Sequence, residues 1–176
     1  EARIETVVPR AARRTVLAAL HAVHPYETPA YDVIELADLP GSVGLGRVGD
    51  LPEPMTLGEL VARAAQVLPA TAWGVRGAGN PSSVVSRLAV CGGSGDDAIG
   101  SAAASGAQAY LTSDLKHHRV SERPAGLALV DAAHWATEQP WLATAAEALT
   151  RVVGVEATVS ELRTDPWTTA TRSPHA

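Results

Sequence analysis

The sequence predicts an α/β protein of two lobes, the second built on a mostly parallel sheet flanked by helices. From Arg87 onward, short apolar runs alternate with segments of helical period. Right-handed crossovers turn that alternation into a parallel sheet with helices packed on its faces. Hydrophobic residues make up 46% of the 176 and charged residues 19%, enough to bury a real core. The passage GAGNPSS has the composition of a linker and sets a boundary near residue 80, giving domains 1–80 and 81–176.

Each element follows from local chemistry. Ile4 to Val8 is short and β-branched and reads as a strand ended by Pro9. Ala11 to Val23 carries Val16, Leu17, Leu20 and Val23 at helical spacing, with Arg13 and Arg14 outward. In HPYETPAYDVIEL two prolines forbid a helix, and Tyr31, Val33, Ile34 and Leu36 form a strand. GSVGLGRVGDLPEP turns repeatedly before Thr56, an N-cap with Glu59 three residues on. That helix runs to about Leu68, and Ala72 to Arg76 is a further strand.

Beyond the linker, Arg87 to Cys91, Gln108 to Thr112 and Leu127 to Val130 are strands. Helices cover Ala98 to Ser105, Asp114 to Glu122 and a segment reaching about Leu149. Val152 to Val159 closes as a last strand, and the polar, Pro-rich tail TDPWTTATRSPHA is expected to be mostly mobile.

Composition narrows the function. A net charge of -5 weighs against nucleic acid as the default partner. One cysteine, Cys91, rules out a disulfide framework or a thiolate-rich zinc site within one chain, and reads as a small buried residue at a strand end. No apolar run approaches the roughly 20 residues that span a bilayer, so a cytoplasmic address is the default. The chain begins at Glu1 and its only methionine is Met55, so this start is not expected to be a translation start.

Ligands of an open parallel sheet bind at the carboxyl ends of its strands. Three such ends carry polar groups: LAVC runs into GGSGDD, YLTS into DLKHH, and LALV into DAAHWATE. His134 and Glu138 stand four residues apart, on one face if helical. They suit a cation such as zinc, manganese or iron, or equally a hydrogen-bonded pair at a helix start. Pro140 puts the start of that helix near Ala136 or Thr137, because proline is at ease only in a first turn.

DLKHH offers Asp114, His117 and His118. The carboxylate either fixes a histidine tautomer or acts as a base, or it is an N-cap beside exposed histidines. GGSGDD is an anion cradle or a tight turn. HPYETPAYD brings His24, Tyr26, Glu27, Tyr31 and Asp32 into a Pro-bounded setting, as a ligand pocket or a rigid turn.

HPYETPAYDV, GLGRVGDL, VCGGSG, TSDLKHH and DAAHWATE, in that order, resemble signatures of the dinuclear metal-centre hexameric family. It is also called Nif-three-like, and its members carry the name GTP cyclohydrolase type 2 homologues. The resemblance implies a two-lobed protein in a toroidal hexamer, with two divalent metal ions per subunit and an inserted ferredoxin-like domain similar to PII and CutA proteins. Residues 1–80 match part of that insert, and the rest matches the C-terminal half of the metal-binding lobe.

By the same resemblance His134 and Glu138 are metal ligands. Asp114 and His118 act near the metals as proton-handling or orienting groups. The family pattern also sets Lys116 near the metals, and with His24, Tyr26 and Glu27 it is a candidate group for the ligand pocket, while His117 falls at a variable position. The family's His-His-Pro motif and a further aspartate, which supply the remaining ligands, do not occur in this sequence. The implied activity is that of a metal-dependent hydrolase acting on a nucleotide or phosphoester. The alternative is a non-enzymatic module that senses a ligand or docks a partner.

Overall fold

The structure is a computed structural model that describes residues 3–36 and 44–171. Two compact units divide the chain, Glu1–Gly41 and Ser42–Ala176.

In the first unit, Arg10–Ala12 forms a single 3-10 turn that leads into α1, Arg13–Val23. Residues 4–8 and 31–36 join no ladder, so neither expected strand forms among the described residues. An extended segment becomes a strand only when a neighbour takes up its N–H and C=O groups. The described residues of this unit do not by themselves establish the ferredoxin-like detail.

The second unit is a five-stranded sheet in the order β1-β3-β4-β5-β2. Its strands are β1 (Arg47–Thr56), β2 (Val75–Ala78), β3 (Val84–Ser94), β4 (Ala109–Ser113) and β5 (Ala128–Ala132). The central three are mutually parallel, while β1 and β2 close the two edges antiparallel. The sheet is thus mixed, with the expected parallel part at its centre.

β1 and β2 precede residue 80, yet they pair with β3 and β5, which follow it. The expected boundary there is a turn inside one sheet, closed by Ser83 N donating to Asn80 O at 3.0 Å. The repeated turns expected before Thr56 are largely β1. Proline costs a ladder bond, so it survives only on an edge or in a bulge. Pro52 and Pro54 have both conditions, because the β1–β3 register breaks between Asp50 and Met55. Residues 41–43, the start of that passage, lie outside the described residues.

α2 (Leu57–Val67) starts at Thr56, whose hydroxyl accepts from Glu59 N while the Glu59 carboxylate accepts from Thr56 N, a complete capping box. Its inner face, Leu57 and Leu60, packs with Val85, Ala109, Ala128 and Val130 on one side of the sheet. On the other side, Ile99 and Ala102 of α3 (Ile99–Ala104) pack with Ala89, Tyr110 and Leu129. Apart from Tyr110, the buried residues of both clusters are aliphatic, in keeping with a chain without phenylalanine.

α4 (His117–Ser121) and α5 (His134–Ala148) follow β4 and β5. α5 starts at His134, two residues before the expected start, and holds Pro140 in its interior. Its first turn is pinned to β3: Thr137 Oγ1 accepts from Gly93 N at 2.9 Å and donates to His134 O at 2.8 Å. That anchorage, with Ala136 almost fully buried, lets the helix tolerate the missing N–H.

Past α5, Leu149–Val153 makes a π-turn that ends at Gly154, φ +74°, and no strand follows among the described residues. The tail is exposed over 164–171 except at Asp165, and Asp165 and Trp167 make side-chain contacts. Asp165 is buried and accepts from Arg163 at 3.1 Å, and the Trp167 ring lies 6.2 Å from that of Trp73. Residues 172–176 lie outside the described residues.

Candidate functional site at the carboxyl ends of the central strands

Because β3, β4 and β5 run parallel, their carboxyl ends share one rim. The register sets Ser94 beside Ser113 and Ser113 beside Ala132, so the three ends are level. Gly93, Asp114 and His134 lie on that rim, and the polar groups of three separate sequence segments do converge there.

His134 is held from both sides. Its Nδ1 lies 2.5 Å from Asp114 Oδ2, and its Nε2 lies 3.3 Å from Glu138 Oε1 one helical turn on. All three side chains are about half exposed. Asp114 reaches the ring from φ +57°, the only positive φ of a non-glycine among the described residues. Such backbone costs of order 1–3 kcal/mol and persists where the surroundings impose it. Here it turns the chain sharply out of β4 and points the carboxylate back at α5.

Gly93 completes the cradle, with φ +69°. A Cβ there would lie 2.8 Å from Glu138 Oε1 and 3.1 Å from His134 Nε2. Only a glycine lets β3 approach the pair so closely.

The carboxylates raise the His134 pKa above its usual value, the Asp114 hydrogen bond first, with the charges of Glu138 and Asp114 adding and partial burial opposing. The same arrangement bears on metal chemistry. Asp114 on Nδ1 fixes the tautomer that leaves the Nε2 lone pair toward Glu138. Two donors on one tetrahedral cation, with bonds of about 2.0–2.1 Å, stand about 3.3 Å apart, so Nε2 and Oε1 fit one ion. Among the described residues no group of three or more His, Cys, Asp or Glu side chains converges on an ion. The chain offers two donors and an orienting carboxylate.

Around this pair the rim is braced. Buried Asp131, on β5, takes Arg76 of β2 on Oδ2, at 2.6 and 2.8 Å, and Leu115 N on Oδ1 at 3.5 Å. Thr112 donates to Gly93 O and Tyr110 to Gly95 O, both at 3.0 Å, so β4 supports the turn after β3. Burial pushes the Tyr110 phenol up to about 12, which keeps it a donor. Buried Asp96 faces Lys116 Nζ at 3.2 Å and Arg119 Nε at 3.8 Å.

Of the residues singled out in the sequence, Asp114, His134 and Glu138 meet, with Asp114 as the partner of the imidazole. His118 is exposed on α4, its ring 5.5 Å from that of His117, and no hydrogen bond or ion pair joins it to the three. Lys116 sits beside Asp96. In the first unit, His24 Nδ1 accepts from Tyr26 N at 3.0 Å, their rings stand 5.3 Å apart, and Glu27 is exposed in the same turn. Cys91 is half-buried on β3, with Sγ 3.6 Å from Leu45 O. Gly93, Thr137, Asp96 and the Arg76–Asp131 pair emerge only in three dimensions. The VCGGSG stretch carries the one local hint, for Gly93.

Curated relatives match this chain over nearly its whole length. The proteins named GTP cyclohydrolase 1 type 2 homolog of Mycobacterium leprae and Mycobacterium tuberculosis are 49% and 50% identical, over 98% and 95% of this chain. That of Bacillus subtilis is 37% identical over 96%. The chain spans about half the length of these relatives, 46%, 45% and 46% respectively.

Among solved structures, a Bacillus cereus protein related to NIF3 superposes with a TM-score of 0.62 at 32% identity, over 93% of this chain and 46% of its own. A Staphylococcus aureus protein gives 0.61 at 26%, over 95% and 55%. The model of the Duf34/NIF3 (NGG1p interacting factor 3) family matches residues 6–166, nearly the whole chain, and the chain belongs to that family.

Proposed function

We propose that the rim is one side of a divalent-metal site, and that the complete protein is a metal-dependent hydrolase acting on a nucleotide or phosphoester. The observation that carries the reading is His134, with one nitrogen fixed by Asp114 and the other 3.3 Å from the Glu138 carboxylate. In this reading His134 Nε2 and Glu138 Oε1 hold zinc, manganese or iron, and Asp114 keeps the imidazole in its ligating tautomer. A second ion and the further ligands belong to the complete family site.

A bound cation supplies Lewis acidity toward a phosphoryl or ring-carbon centre. The chain's own residues orient and hold. Gly93 keeps the floor clear of side chains, Thr137 locks the first turn of α5 to β3, and Asp131 ties the chain after Asp114 to β2. His118, exposed nearby in sequence, is a proton carrier in this proposal only if substrate brings it inward.

The relatives' names carry the cyclohydrolase label, and their assembly by resemblance is a homo-oligomer, a hexamer. We extend both to this chain as part of the same proposal, with a cytoplasmic location. No helix among the described residues is long and apolar enough to cross a membrane. Elemental analysis of the purified chain beside its His134→Ala and Glu138→Ala variants tests the metal assignment. Metal in the parent that is lost in both variants supports it. Equal content in all three refutes it.

A further inference from the structure

We infer that Arg163, Asp165 and Trp167 form a clasp that positions the two segments carrying the His134–Glu138 pair and its partner Asp114. The inference rests on the metal reading only for what the positioned groups would hold.

The clasp is built around a buried charge. The Asp165 side chain is 2% exposed, in a tail whose other residues are exposed. Burying a carboxylate costs free energy unless its oxygens are paired, and both are. Oδ2 accepts from Arg163 at 3.1 Å, and Oδ1 accepts from Trp167 N at 3.3 Å. One carboxylate thus sets a guanidinium and an indole in fixed places, and each meets the rest of the second unit.

Arg163 lies over the ring of Trp135, with Cζ 4.7 Å from its centre, a cation–π contact. Trp135 Nε1 is buried without a hydrogen-bond partner, so packing and this cation orient the ring. Trp135 follows His134 directly, in the first turn of α5.

Trp167 reaches the other side. Its ring centre is 6.2 Å from that of Trp73, and Arg76 Cζ stands 4.5 Å from the Trp73 centre. Arg76 is tied to buried Asp131, which also accepts from Leu115 N, and Leu115 follows Asp114 directly. The contacts therefore run from the residue after His134, through the tail, to the residue after Asp114. His134, Glu138 and Asp114 are about half exposed and gain little order from their own packing. The frame behind them sets their spacing, and the tail closes that frame.

Hydrogen exchange of the metal-free full chain, read by mass spectrometry, tests the clasp. Trp167→Ala and Arg163→Ala speed exchange about tenfold in 113–117 and 131–138, and leave α3 on the opposite side of the sheet unchanged. Trp167→Phe, which keeps a ring against Trp73, restores the parent rate. Arg151→Ala, an equal charge loss on an exposed turn, changes nothing. Unchanged exchange at both segments in Trp167→Ala overturns the clasp. A rise of equal size in α3 also overturns it, because the tail would then be a general stabiliser. In a zinc titration of the same variants, affinity falls about fivefold with Trp167→Ala and returns with Trp167→Phe. Zinc affinity indifferent to Trp167→Ala removes the positioning role. A parent that takes up no zinc defeats the metal reading, and the exchange result then decides the clasp alone.

Discussion

At the scale of the residue, the account turns on how His134 is held. Its raised pKa has a defined consequence for the metal-free chain. A raised folded-state value means the ion pairs stabilise the fold fully below the ordinary value of 6.5, and that this contribution is lost as pH rises through the folded value. Asp114→Asn removes the largest cause, so the His134 resonance in an NMR titration moves back toward 6.5. An unchanged titration would mean the carboxylate does not hold the ring.

Gly93→Ala tests the same cradle from β3. The added methyl meets the Glu138 oxygen at 2.8 Å in a left-handed backbone, and the expected cost is roughly 1–2 kcal/mol of stability with loss of metal uptake. Chemical denaturation and elemental analysis read both.

These residues were legible to different degrees, for physical reasons. His134 and Glu138 are four apart on a helix, and Asp114 ends a strand parallel to the one before His134, so pattern and topology bring them together. Asp131 offers no such cue. It becomes a brace only because Arg76, 55 residues away, arrives on an antiparallel edge strand. Asp96 looks like a turn residue until its burial is seen. His118 matches the motif spacing, and α4 leaves its ring exposed to solvent.

At the scale of the element, local chemistry predicted what is locally determined. The Thr56–Glu59 box starts α2 as read, and the backbone hydrogen bond from Thr56 holds the Glu59 carboxyl below its usual range. Thr56→Ala is expected to destabilise the chain by about 1 kcal/mol, measured by thermal or denaturant unfolding. A loss near zero would make the box decorative.

What local chemistry missed depends on neighbours. β1 has two prolines and reads as turns, yet an edge position and a bulge accommodate them. Val152 to Val159 has strand composition but no described neighbour to pair with, and Gly154 turns the chain away. α5 absorbs Pro140 because Thr137 and Ala136 fix its first turn before the proline is reached.

At the scale of the molecule, the exposed apolar surface bears on the oligomer proposal. Trp141, Val152 and Trp167 in the second unit, and Ile4, Val7 and Ile34 in the first, are largely exposed. Scattered apolar residues are ordinary on a surface, and the oligomer proposal assigns these to contacts between copies of the chain. The chain is therefore expected to self-associate in solution. Light scattering at increasing concentration should give a mass above 18.2 kDa, and a strictly monomeric chain would remove support for the oligomer proposal.

The mixed sheet explains why the two-lobe expectation shifted. Edge strands from before the glycine-rich turn close the sheet around the parallel centre, so the rim is framed by residues on both sides of residue 80.

The most direct test is metal stoichiometry, by calorimetric titration of the chelator-stripped chain with zinc and with manganese. The account predicts binding in the parent that falls sharply with His134→Ala and with Glu138→Ala, and less with Asp114→Asn, which removes only the orienting bond. Binding that is absent in the parent, or indifferent to all three substitutions, would contradict it.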